Sequence, residues 1–182
     1  MSALPSSPWS VRPRPEEHNA FYQGYLNAVP DGDLMPFLAD QLYRVQRIIG
    51  QVTAEKADYR YEDGKWTVRQ VFGHMVDTEW IFGGRLLWIS RGDPTPLPGM
   101  DQTVFVRGGH FEDRGLDSML AEFSGLRTAV MTLMDSLRPE AIERMGTASG
   151  WPISARALGW ILAGHCEHHL NVLKERYGIE TA

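Results

Sequence analysis

The 182-residue chain is predicted to fold as an all-α four-helix bundle, and three observations carry that prediction. Four stretches repeat their apolar residues at three- and four-residue steps, and no segment alternates long enough to make a half-buried strand. A Pro- and Gly-rich connection, 92–115, separates the second stretch from the third. A connection that long lets the helices on either side run parallel, whereas a short one forces them antiparallel. The length suits one domain with a full core.

The elements follow in order. Pro5, Pro8, Pro13 and Pro15 each fix φ and remove a donor, so the first fifteen residues read as an extended arm, which Trp9 would pin to the bundle. Residues 16–29 hold a short aromatic-rich helix ending before Pro30, and Pro30-Asp31-Gly32-Asp33 resets the chain. The domain division expected is therefore an arm over 1–30 and a bundle over 31–182. The first long helix runs from about Leu34 to Ile49, with Gly50 as its stop. The second starts at Thr67, where Thr67 and Gln70 form a capping box and Trp66 can staple onto Val71, and it reaches about Ser90. Its apolar positions surround nearly the whole circumference, the mark of a helix buried among others. After the crossover, in which Val104-Phe105-Val106 is the one plausible strand, a third helix spans about Leu116 to Leu137. Pro139 to Arg144 gives a short helix, 146–152 is loop, and the last helix spans Ser154 to Tyr177, stopped by Gly178.

Composition excludes several classes. With 18 Lys+Arg against 23 Asp+Glu the net charge is −5, which supplies no basic field for a nucleic-acid backbone. A single cysteine, Cys166, excludes an internal disulfide framework and suits a reducing compartment. No stretch approaches eighteen uninterrupted apolar residues, so neither a membrane span nor membrane partners are expected, and a cytoplasmic location is.

Chemistry is expected from the histidines. Three fall in Gly164-His165-Cys166-Glu167-His168-His169. At about 100° per residue His165 and His169 share the centre of the stripe that carries Leu158, Ile161, Leu162, Val172 and Leu173, with His168 on its shoulder. Two imidazoles one turn apart can hold one metal ion. A third ligand must come from another element, and His74, on the side of the second helix that carries Val71, Thr78 and Ile81, is the candidate. The alternative is a set of hydrogen-bonded core histidines. Asp77 can accept the other ring N–H of His74. Arg85 lies on the same side and is either a buried partner for a carboxylate or an anchor for a substrate anion. His18 and His110 sit in poorly periodic regions and rank behind.

Four segments, RPRPEEH (12–18), KWTVRQVFGHMVDTEW (65–80), RGDPTPLPGMDQ (91–102) and GTASG with ARALGWILAGHCEHHLNVLKERYG (146–178), resemble the DinB/YfiT-like superfamily from about Arg12 to Tyr177. The resemblance implies a bundle of up-down-down-up order with its crossover between the second and third helices. It also implies a divalent metal on His74, His165 and His169, the trio that helical phase singles out. Relatives include metal-dependent thiol transferases that use mycothiol or bacillithiol, a mycothiol-dependent isomerase, and hydrolases.

The expected function is transfer of a low-molecular-weight thiol to an electrophilic small molecule, by an ion with open coordination positions, zinc or nickel being the first choices. One alternative is a hydrolase that activates water, with Asp77, Glu79 or His168 moving protons; phase makes Glu79 the poorest of the three. Another is a non-enzymatic stress-response protein in which the ion ties two helices together. A homodimer is expected.

Overall fold

The computed structural model describes residues 7–180, so the first part of the arm, including Pro5, lies outside the described residues. The arm consists of 3-10 turns at Pro8–Ser10, Pro15–Glu17 and Ala20–Tyr22, followed by helix α1 (Gln23–Asn27). The long helices are α2 (Leu34–Ile49), α4 (Val68–Arg91), α6 (Leu116–Ser136) and α8 (Ala155–Tyr177). Short helices α3 (Ala54–Ala57), α5 (Gln102–Gly108) and α7 (Pro139–Ile142) and a hairpin of β1 (Met145–Ala148) and β2 (Trp151–Ser154) lie between them.

Local chemistry sets the boundaries. Thr67 accepts from the Gln70 amide while the Gln70 side chain accepts from the Thr67 amide, closing the capping box that starts α4. Asp33 caps α2 and Ser154 caps α8, and Gly92 and Gly178 end α4 and α8 in the left-handed region.

Contacts along the helices give their directions. Gln41 meets Ala163 and Arg44 meets Glu167, so α2 and α8 run parallel. The Phe72 ring packs on Phe123 and Gly83 lies against Val130, so α4 and α6 run parallel to each other. Trp66 meets Tyr177 while His74 meets His165, which sets α4 antiparallel to α8. The bundle is therefore up-down-down-up, with the crossover between α4 and α6. Two apolar halves fill it, one around Leu38, Leu86, Met134 and Leu158, the other around Val45, Phe72, Phe123 and Leu173. Between them lies a buried polar layer. Arg127 pairs with Glu79 through two bonds and donates to Gln41, which in turn bonds Ala163 and Glu167.

Several expectations are corrected. Val104-Phe105-Val106 is helix, not strand: Asp101 accepts from the Thr103 and Val104 amides and starts α5, which buries Val106 alone of the three. The expected loop at 146–152 is part of the β hairpin. Ser149 and Gly150, both at positive φ, form its two-residue turn, and Leu97 of the crossover bonds alongside. The connection after Gly50 contains α3, capped by Thr53. Trp160, five residues before His165 and off the stripe that the histidines share, is fully buried too, because the arm covers α8 from outside and lays Arg12 over the indole at 4.8 Å. The arm is fastened elsewhere too. Trp9 donates to the Met134 carbonyl, and Glu17 accepts from Ser154 and from two nitrogens of Arg156.

Candidate metal centre

Helices α4 and α8 bring His74, His165 and His169 together, all of them buried. The Nε2 atoms of His74 and His165 lie 3.1 Å apart, those of His169 and His165 3.2 Å apart, and one ligating nitrogen from each ring falls within 4.8 Å of the others. Two nitrogens bound at about 2.0–2.1 Å to a tetrahedral zinc stand about 3.3 Å apart, so the spacing matches a shared ion.

Proton bookkeeping on the rings points the same way. Each Nε2 carries either one hydrogen or one lone pair. His165 Nε2 therefore satisfies one of its two close nitrogen neighbours and not both, whereas a cation at the centre takes all three lone pairs. Burial, and then the neighbouring imidazoles, hold His165 and His169 well below the ordinary histidine range. Burial and His168 bring His74 down to about 4. All three rings are thus neutral at pH 7, the form that ligates.

Thr78 orients one of them. Its Oγ lies 2.9 Å from the carbonyls of both His74 and Met75 and 3.2 Å from His165 Nδ1. With its proton given to the backbone, the hydroxyl accepts from Nδ1–H and leaves Nε2 bare toward the other two rings. The sequence put Thr78 on the His74 face but did not assign it a role. The clue was its spacing of one turn from His74. His74 Nδ1 and His169 Nδ1 are buried with no partner among the described residues.

Two cavities open beside the triad. One, of about 410 Å³, reaches His74, His165, Thr78, Phe82, Arg85 and Asp101. The other, of about 420 Å³, reaches His169, His168, Lys65, Trp66 and Tyr177. Phe21, Tyr25 and Gln102 line both. The Tyr25 ring stands edge-on to His165 at 5.3 Å, held there because α1 crosses α8 at Gly164, where a methyl group would run into the Tyr25 carbonyl.

The remaining candidates are placed as follows. Asp77 makes no hydrogen bond to His74, a correction to its expected role. It faces Glu122 and Arg114, and burial together with Glu122 pushes its carboxyl up to about 6. Glu79 is committed to Arg127. His168 is exposed at the second cavity, 5.0 Å from the His169 ring. Arg85 has no carboxylate partner among the described residues and donates through Nη2 to the Pro98 carbonyl and to Ser149 Oγ. His18 Nδ1 meets the Asn19 carbonyl, and His110, Glu112 and Asp113 cluster on an exposed turn. Burial pushes the Cys166 thiol up to about 12, so it stays protonated.

The sequence profile of the DinB superfamily matches residues 38–173. Among solved structures the chain is similar to YfiT from Bacillus subtilis, with 20% identity and a TM-score of 0.68 over 93% of this chain and 95% of that one. That protein is described as a probable metal-dependent hydrolase with an unusual four-helix bundle topology. No curated protein matches the sequence.

Proposed function

The chain belongs to the DinB superfamily, and on that footing we propose that it is a divalent-metal enzyme that transfers a low-molecular-weight thiol to an electrophilic small molecule. The observation that carries the reading is the convergence of three Nε2 atoms between two separate cavities. His74, His165 and His169 would hold the ion, and zinc and nickel both suit an all-imidazole set. When bound, such an ion supplies a Lewis acid that lowers the pKa of a thiol.

The protein's own groups fit a two-substrate reaction. One cavity on each side of the triad gives room for a thiol and an electrophile to meet, with Phe21, Tyr25 and Gln102 in the wall between. Three neutral ligands leave the ion's charge uncompensated and a position open. The open cavities argue against the alternative of an ion that merely ties helices together, which calls for a closed fourth ligand. In the transfer the sulfur of the external thiol forms the new bond to the electrophilic carbon, the leaving group departs with the electron pair of the bond it breaks, and the thiol proton goes to solvent. The protonated Cys166 cannot substitute for the external thiol.

A hydrolytic reading has one observation in its favour beyond the description of YfiT: Asp101 and His168, each on a cavity wall, stand where a base could serve water. Glu79 is paired with Arg127, and Asp77 lines neither cavity.

The test has two stages. Protein purified without a metal-affinity tag is assayed for bound metal, and His74→Ala, His165→Ala and His169→Ala should each remove it. The loaded protein is then given monochlorobimane with bacillithiol, mycothiol, glutathione or coenzyme A, beside a panel of esters. Thiol-dependent turnover supports transfer; ester turnover with no thiol-dependent rate replaces it by hydrolysis.

A further inference from the structure

Arg85 is 6% exposed, yet it meets no carboxylate among the described residues. A guanidinium so withdrawn from water ordinarily has a counter-ion, because an unpaired buried charge is costly. Two loops hold it in place. The crossover presents the Pro98 carbonyl at 2.7 Å and the hairpin turn presents Ser149 Oγ at 3.1 Å, both to Nη2. Ser149 sits at a φ of 54°, a conformation that costs a non-glycine residue of order 1 kcal/mol, and its backbone is tied to Leu97. The fork is therefore fixed by one nitrogen, while Nε and Nη1 have no partner among the described residues and the side chain lines the cavity that His74 and His165 also line.

We propose that Arg85 is the anchor for a carboxylate on the substrate, so that the electrophile is an organic acid with an apolar body. The proposal names the substrate class of the site and rests, for the reaction though not for the binding, on the transferase reading. Three features define that acid. Its apolar part is suggested by Phe21, Tyr22, Tyr25 and Phe82 in the same wall. A single negative charge is favoured because Asp101 shares that wall and would repel a dianion. Its length follows from α4. Arg85 is eleven residues beyond His74, about 20° away in phase and about 16 Å along the axis between Cα atoms, with its side chain leaning back toward the helix start. A two- or three-carbon acid is too short to reach both ends.

The probe is 4-phenylbutyrate, compared by calorimetry with its uncharged amide and with 3-phenylpropyl phosphate, on metal-loaded and metal-free full-length protein. Wild type should bind the acid at least about tenfold tighter than the amide in both forms, the scale of one charge-assisted hydrogen-bonded pair. Arg85→Gln should bring acid and amide to equal affinity without weakening the amide, and Arg85→Lys should keep part of the preference. Equal binding of acid and amide by wild type, a preference that survives in Arg85→Gln, tighter binding of the phosphate, or no binding of any probe would each overturn the assignment. Metal content of the same samples decides the metal reading separately. A protein that takes up no metal but still prefers the acid keeps the anchor and loses the metal enzyme, and one that takes up metal without the preference does the reverse.

Discussion

His165 has neighbours on both of its nitrogens, Nε2 toward the other two rings and Nδ1 toward Thr78. Thr78→Val removes the partner of Nδ1 with little change of volume. It is expected to lower metal affinity by about 10–100-fold while leaving the fold intact, measured by competition with a chromophoric chelator and by circular dichroism. Burial of the triad also sets a pH dependence in the metal-free protein. The folded-state pKa of His74 is lowered to about 4, so as pH falls below the ordinary histidine value of about 6.5 the unfolded chain takes up its proton first. Stability is therefore complete above about 6.5 and declines as pH drops through 4. Denaturant midpoints taken between pH 7 and 4 should fall steadily, with a smaller slope in His165→Asn; a flat profile would contradict the burial argument. The convergence of the three histidines was legible in the sequence because helical phase alone puts them on inward faces. Thr78 as an orienting group was not, since the bond it makes crosses from α4 to α8.

At the level of elements, the arm is held by Glu17, which is 1% exposed and opposed by Arg156. Burial by itself would raise the Glu17 carboxyl, but the bonds from Arg156 and Ser154 outweigh it and bring the pKa down to about 2. The stability this contributes is present above about 4.5 and lost as pH falls through 2, a lower window than that of the histidines. Glu17→Gln leaves Arg156 with a weaker partner and is expected to cost about 3 kcal/mol in a urea titration. The crossing of α1 over α8 has its own test. Gly164→Ala places a methyl against the Tyr25 backbone and should cost about 1–3 kcal/mol and displace Tyr25 from His165, seen as a shift in the His165 ring resonances. A wild-type melting temperature in Gly164→Ala would mean that α1 packs less closely than described. The bounds of α2 were legible to the residue, since Asp33 and Gly50 punctuate a clean period. Helix α5 is hidden in the sequence because three prolines before it suggest irregular chain, and a lone Asp101 cap ahead of seven residues is a weak start signal. The hairpin was hidden because its strands are four residues each and its turn uses Ser-Gly, a weak signal.

Across the whole molecule, one polar layer separates two apolar halves and touches every long helix. Gln41 and Arg44 come from α2, Glu79 from α4, Arg127 from α6, and Ala163 and Glu167 from α8. Arg127 is fully buried, so truncating it strands the Glu79 carboxylate in the core. Arg127→Ala is expected to lose about 3–5 kcal/mol, whereas the paired change Glu79→Leu with Arg127→Met should recover much of that loss; a double variant no more stable than the single one would show that the layer does more than balance its charges. The layer also places the site. It holds α4 against α6, and thereby the His74 face of α4 toward α8. By itself the sequence determined the four long helices, where they begin and end, and the inward faces that carry His74, His165 and His169, because periodicity and capping are local and survive without knowledge of neighbours. What only the tertiary structure decided was which groups meet across elements: Thr78 with His165, Arg85 with Pro98 and Ser149, Glu17 with Arg156, and the two cavities on either side of three histidines. Each of those depends on the angle and offset between segments far apart in the chain, which no local pattern encodes.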